Sequence, residues 1–130
     1  DTVGFDDIQF LEKTDTSQSK EAAMDQRRFI EKVWAEIREL PRNQRVALLL
    51  NSRDSRGHAV LQLVQLTGIA FFPEIAAVLE LSVEELAKLW NQLPLDDNSI
   101  AARLMCTRQQ VINFRMTARK RLTNRLQGSQ

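Results

Sequence analysis

Asp97-Asn98-Ser99-Ile100-Ala101-Ala102-Arg103-Leu104-Met105-Cys106-Thr107-Arg108-Gln109-Gln110-Val111-Ile112-Asn113-Phe114-Arg115 is the stretch that decides the fold. It reads as a short helix, a tight turn and a second helix carrying Arg, Gln and Asn. Thr107 stands at the N-cap of the second helix, where its hydroxyl can accept from an otherwise unpaired backbone N–H. Behind it Val111, Phe114, Ala118 and Leu122 recur at spacings of three and four, the mark of a buried helical stripe.

The same pattern occurs 25 residues earlier. Glu74-Ile75-Ala76-Ala77-Val78-Leu79-Glu80-Leu81-Ser82-Val83-Glu84-Glu85-Leu86 aligns with the stretch from Ser99 to Val111, with Ile, Ala, Ala and Leu at matching places. Ser82 matches Thr107 as a hydroxyl cap, and Leu86 matches Val111 as the first buried residue of the second helix. Both copies put a small Ala where two helices must approach closely. If the turn needs a positive φ, Glu80 and Met105 occupy a place where glycine is more comfortable.

Outward from the repeat, the remaining apolar periodicities are also helical. Phe29, Ile30, Val33, Trp34, Ile37 and Leu40 form one face of a helix over residues 21–40, with Ser19 as its N-cap. Pro41 ends that helix or begins the next, over residues 42–50. Residues 51–57 are a loop by composition. Residues 59–66 have a strand-like alternation but no pairing partner, so they are expected to be helical. Residues 72–79 and 82–93 make the first helix pair, which Pro94 ends. The expected fold is therefore all-α. It is a compact helical domain over residues 21–127, preceded by an acidic polar segment or linker over residues 1–20. It contains two tandem helix-turn-helix-like units, one over 74–93 and a basic one, without a wing, over 97–126. An apolar cluster in the N-terminal segment (Phe5, Ile8, Phe10, Leu11) could dock on the domain or on a partner.

Charge is segregated along the chain. Residues 1–26 carry −5, residues 27–58 +4, residues 59–97 −5 and residues 98–130 +7, within a net charge of +1. From Asn98 onward there are seven bases and no acid. Such segregation suggests one surface for a polyanion and others for different partners. One Cys and one His provide neither an internal disulfide nor a Cys/His metal site. Charges interrupt every apolar run before it reaches membrane-spanning length, and no signal peptide is visible, which points to the cytoplasm. No Gly-rich phosphate loop or nucleophile–base pair is present, so neither an enzyme nor a cofactor or small-molecule substrate is expected. His58 reads as a surface residue near a helix start, Cys106 as a small buried apolar residue of the turn, Trp34 and Trp90 as core, and Asp96-Asp97 as helix capping.

The basic unit suits duplex DNA. Thr107 and the first turn beyond it (Arg108, Gln109, Gln110) occupy the positions that reach base edges when such a helix enters the major groove. Arg can pair bidentately with guanine, and Gln or Asn with adenine. Asn113 and Thr117 continue the same side. Arg119, Lys120 and Arg121, with Arg125, would flank the groove and neutralise phosphates. The first copy carries Val83, Glu84 and Glu85 where the second has Arg108, Gln109 and Gln110, so a phosphate backbone would repel it.

These residues resemble region four of bacterial RNA polymerase sigma factors. The run from Thr107 through Arg108, Gln109, Gln110 and Val111 to Ala118 and Leu122 is similar to that family's recognition helix, which opens with Thr-Arg-Glu and closes with Ala-x-x-x-Leu. Upstream, Trp34, Ile37, Leu40-Pro41, Arg45, Val46 and Leu48 resemble the Leu-Pro-x-x-x-Arg-x-Val-Leu helix that begins region four. Together the two motifs cover about half the chain, in the family's order. About forty residues separate Asn51 from Pro94, where the family has a short loop. The resemblance implies binding of a −35-like promoter element through Arg108, Gln109, Gln110 and Asn113, docking on core RNA polymerase, and a role in transcription initiation. Two other readings fit the same residues. One is a tandem helix-turn-helix regulator independent of polymerase. The other is a helical protein-interaction module that uses the acidic first unit.

Overall fold

The computed structural model describes residues 20–128, and these contain seven α-helices and no named strand. They are α1 (Lys20–Arg38), α2 (Arg42–Leu49), α3 (Val60–Leu66), α4 (Phe72–Leu79), α5 (Val83–Trp90), α6 (Asp97–Leu104) and α7 (Arg108–Gly128). The expected all-α class is observed. The expected Ser19 cap and the apolar cluster of the N-terminal segment lie outside the described residues. No described helix is long and apolar enough to cross a membrane.

The core is organised on α2. Val46, Ala47, Leu48, Leu49 and Leu50 are consecutive and all buried. The C-terminal half of this helix is apolar on every side and must be covered on every side. Here α7 is its most extensive neighbour, with α4 and α6 also against it. From α1, Val33, Trp34, Ile37 and the following Leu40 join this core. Phe29 was expected on the same face but is exposed, and Ile30 is only half-buried. The buried stripe of α1 therefore starts one turn later than its apolar spacing suggests. Trp34 is buried as expected, whereas Trp90 is half-buried and tilts against Phe72 with ring centroids 4.9 Å apart.

The helix ends are closed by specific polar contacts. Pro41 is the N-cap of α2 and has no N–H to leave unpaired. Arg45, on α2, donates to the carbonyls of Leu40 at 2.7 Å and Val78 at 2.8 Å, so one guanidinium serves the ends of α1 and α4. It also meets the Glu80 carboxylate at 2.8 Å, while Arg42 reaches the other oxygen of that group at 3.2 Å. Cations at helix C-termini complement both the unpaired carbonyls and the helix dipole.

Between α2 and α3 the loop is built on Asp54. Its buried carboxylate accepts the backbone N–H groups of Arg56 at 2.9 Å and His58 at 2.8 Å, and faces His58 Nδ1 at 3.2 Å. Burial raises the Asp54 pKa, but the His58 backbone and imidazole and the Arg56 N–H outweigh it and hold the carboxyl below its ordinary value. The His58 ring itself is largely exposed, as a surface residue near a helix start should be. An antiparallel bridge pairs Arg53 with Ala59, the residue before α3. The strand-like alternation of the next segment resolves as helix, with Val60, Leu61 and Val64 on its buried side.

The tandem repeat extends to backbone detail. Glu80 and Met105, 25 residues apart, both adopt the left-handed conformation, at φ 57° and 55°. In the first copy Leu81 N–H donates to Ala76 O at 2.9 Å, and in the second Cys106 N–H donates to Ala101 O at 3.0 Å. Glu80 N–H to Ala77 O (3.0 Å) and Met105 N–H to Ala102 O (3.4 Å) complete the two Schellman turns. Ile75, Ala76 and Leu86 are buried in one copy, and Ile100, Ala101 and Val111 in the other. These matched residues pack, whereas the second matched Ala, Ala77 or Ala102, is exposed in each copy. The positive φ that glycine would favour occurs twice on non-glycine residues.

Candidate nucleic-acid interface

The second helix-turn-helix presents the start of α7. The Thr107 hydroxyl accepts from Gln110 N–H at 3.1 Å, and Gln110 Oε1 reaches back to the Thr107 N–H at 2.9 Å. This reciprocal capping box satisfies two of the N–H groups that a helix start leaves unpaired. Ser82 and Glu85 form the same box at the start of α5, at 3.0 and 2.9 Å. The two hydrogen bonds from Ser82 hold the Glu85 carboxyl below its ordinary value. Asp96 caps α6 by accepting from Ser99 N–H at 2.8 Å, and that bond lowers its pKa.

The capping box changes the reading of Gln110. It was expected among the base-reading residues, but its Oε1 is committed to the turn. Its side chain therefore positions the helix rather than projecting freely from it. The signal for this was in the sequence, because Thr107-x-x-Gln110 and Ser82-x-x-Glu85 both have the capping-box spacing.

Asp97, expected to share the capping with Asp96, pairs with Arg115 instead. Asp96 caps, but Asp97 does not. Arg115 Nη1 lies 2.8 Å from Asp97 Oδ1, and Nη2 donates to Asp97 Oδ2 at 3.1 Å. Arg115 is buried, at 8% exposure, and its charge serves to join α7 to α6. Arg125 similarly pairs with Glu36 of α1. The run of bases from Asn98 onward is therefore only partly a surface charge.

What remains outward is concentrated. Arg108, Gln109, Asn113, Thr117, Lys120 and Arg121 are all exposed, as are Thr107 and Gln110, while Arg119 is half-buried. Val111, Ala118 and Leu122 are buried on the opposite side and Phe114 packs partly against the core, as the stripe predicts. Gln109 Nε2 donates to Asn113 Oδ1 at 3.1 Å, so two expected reading residues are joined one helical turn apart. Met116, which sequence reasoning did not single out, lies on the same stripe and is 60% exposed. Twenty-one residues make α7 about 30 Å long, so it extends well beyond the turn that orients it. Cys106 is half-buried beside the turn.

The first copy has the same frame with other chemistry outward. Val83, Glu84, Glu85 and Lys88 are exposed on α5, which ends after eight residues. Glu80 is neutralised by Arg42 and Arg45. Among the described residues no group of His, Cys, Asp and Glu is arranged to hold a metal ion. No protein-family model, curated protein or solved structure matches the chain.

Proposed function

We propose that this chain is a sequence-specific duplex DNA reader of the transcription machinery, with α7 laid in the major groove and its first turns against base edges. The observation that carries the reading is the outward face of α7. It presents the Gln109–Asn113 amide pair, flanked by exposed Arg108, Lys120 and Arg121, in a segment with no acid from Asn98 onward. Amides and guanidinium groups discriminate bases, whereas a row of cations without acids gives affinity for any phosphate backbone. The helix-turn-helix frame supports this, because it projects the N-terminal turns of its second helix.

The resemblance to sigma region four refines the proposal. The target would be a −35-like promoter element, the second partner would be core RNA polymerase, and the site of action would be the bacterial cytoplasm. The mechanism is recognition; no chemical step is required of any residue.

Fluorescence anisotropy against a randomised duplex pool, then against its selected winners at two salt concentrations, tests the reading. Arg108→Ala should weaken the preferred duplex by about 1–3 kcal/mol and relax its base preference. Lys120→Ala should weaken all duplexes alike and flatten the salt dependence. Equal losses from Arg108→Ala on preferred and scrambled duplexes would sink the base-reading role. Absence of binding at low salt would favour a protein-interaction module centred on α5. Binding to core polymerase, measured by titration of the labelled chain, separates the sigma-like reading from a free-standing regulator.

A further inference from the structure

If α7 reads duplex DNA as proposed, the geometry points to an adenine–thymine step as its target, read by Gln109 and Asn113 as one unit with Met116 beyond them. The amides are joined before any DNA arrives, with Gln109 Nε2 donating to Asn113 Oδ1 at 3.1 Å. That bond occupies one donor and one acceptor. It leaves Asn113 Nδ2 as a donor and Gln109 Oε1 as an acceptor at the outer ends of the pair, besides the second N–H of Gln109 and the second lone pair of Asn113 Oδ1. In the major groove adenine offers an acceptor at N7 and a donor at N6, which this pair complements. Guanine offers acceptors at both N7 and O6, so Gln109 Oε1 would face O6 with no proton between them. Coupling the two side chains in advance also reduces the rotamer freedom lost on binding.

Met116 continues the stripe, three residues after Asn113 and seven after Gln109, which is the helical spacing of one face. It is 60% exposed on a face that is otherwise polar. The thymine C5-methyl is the apolar feature of a base edge in the major groove, and a flexible thioether is well suited to cover it. Gln110 is excluded from the reading unit because the Thr107 N–H and hydroxyl occupy its Oε1, at 2.9 and 3.3 Å.

The test uses the tightest duplex selected from the randomised pool. Each adenine is replaced in turn by 7-deazaadenine, which lacks the N7 acceptor, and each thymine by uracil, which lacks the methyl. One 7-deazaadenine should weaken the intact chain about tenfold and leave Asn113→Ala unaffected. One uracil should weaken it about fourfold and leave Met116→Ala unaffected. Gln110→Ala should keep the base preference. If a duplex is selected but every 7-deazaadenine position is silent, or Gln110→Ala changes the preferred base, this assignment is overturned while DNA reading stands. If no duplex is selected, both fail together.

Discussion

Replacing Met105 by glycine should stabilise the protein, although it deletes a large apolar side chain. Met105 sits at φ 55° and ψ 49°, in the left-handed region that costs a non-glycine residue roughly 1–2 kcal/mol. Its side chain is 91% exposed, so its removal sacrifices almost no buried surface. Glycine has more backbone freedom to lose on folding, which offsets about 0.5–1 kcal/mol of the relief. The net gain is about 0.5–1 kcal/mol, or roughly 2–5 °C in Tm for a chain of this size. Glu80→Gly relieves the same conformation at φ 57° but also removes the carboxylate that pairs with Arg42 and Arg45. Its net effect should be close to zero. Urea unfolding followed by circular dichroism and by tryptophan fluorescence measures all three proteins. Met105→Val is the opposite control, because a β-branched residue is strained further at positive φ. A Met105→Gly variant less stable than the parent, or a Met105→Val variant indistinguishable from it, would refute backbone strain at this turn.

Further substitutions probe the frame of the fold. Asp97→Ala leaves the buried Arg115 charge without its partner and should cost about 3–5 kcal/mol in urea unfolding, whereas Asp97→Leu combined with Arg115→Met should recover most of it; strictly additive losses would contradict a coupled pair. Thr107→Ala should cost about 1 kcal/mol, and Ser82→Ala a similar amount, since each removes the hydroxyl of a capping box; equal stability of parent and variants would argue against both caps. The Asp54 carboxyl is held below its ordinary value of 3.8, so the folded state binds a proton there less readily than the unfolded chain. Its stabilisation is therefore complete above pH 3.8 and is lost as pH falls through the lower folded-state pKa. Asp54→Asn should flatten that acid limb in unfolding measured across pH, and an unchanged limb would remove Asp54 from the account.

Much of this architecture was legible because packing leaves periodic traces. The Ile-Ala-Ala-x-Leu register located both helix pairs, since its Ile and first Ala are buried in each copy. Helix boundaries agree to within a few residues; α5 stops at Trp90 rather than near Leu93. The left-handed turns were harder to see. Glycine is the usual mark of positive φ, and Glu80 and Met105 carry no such mark. Arg115 was illegible for a different reason. One-dimensional counting places it among the surface bases, whereas its role depends on Asp97, 18 residues away on another helix. Gln110 lay between these cases. Its capping spacing was visible, but its amide chemistry also suits base recognition, and only the hydrogen bonds decide how the group is used.

The two copies separate what a helix-turn-helix needs to fold from what it needs to recognise a partner. Both have the αL turn, the two Schellman bonds, the capping box and the buried Ile, Ala and aliphatic positions. None of these features confers preference for an anion, because each is spent on the backbone or the core. The copies differ in length and in what they turn outward. One has eight residues opening on Val83, Glu84 and Glu85; the other has twenty-one opening on Arg108, Gln109 and Gln110. Even in the second copy, Arg115 and Arg125 hold α7 to α6 and α1. Affinity for a polyanion must therefore come from the smaller set that faces solvent, chiefly Arg108, Lys120 and Arg121. Net charge over the segment overstates that set, and the salt dependence of binding should follow the exposed cations rather than the count of bases in the sequence.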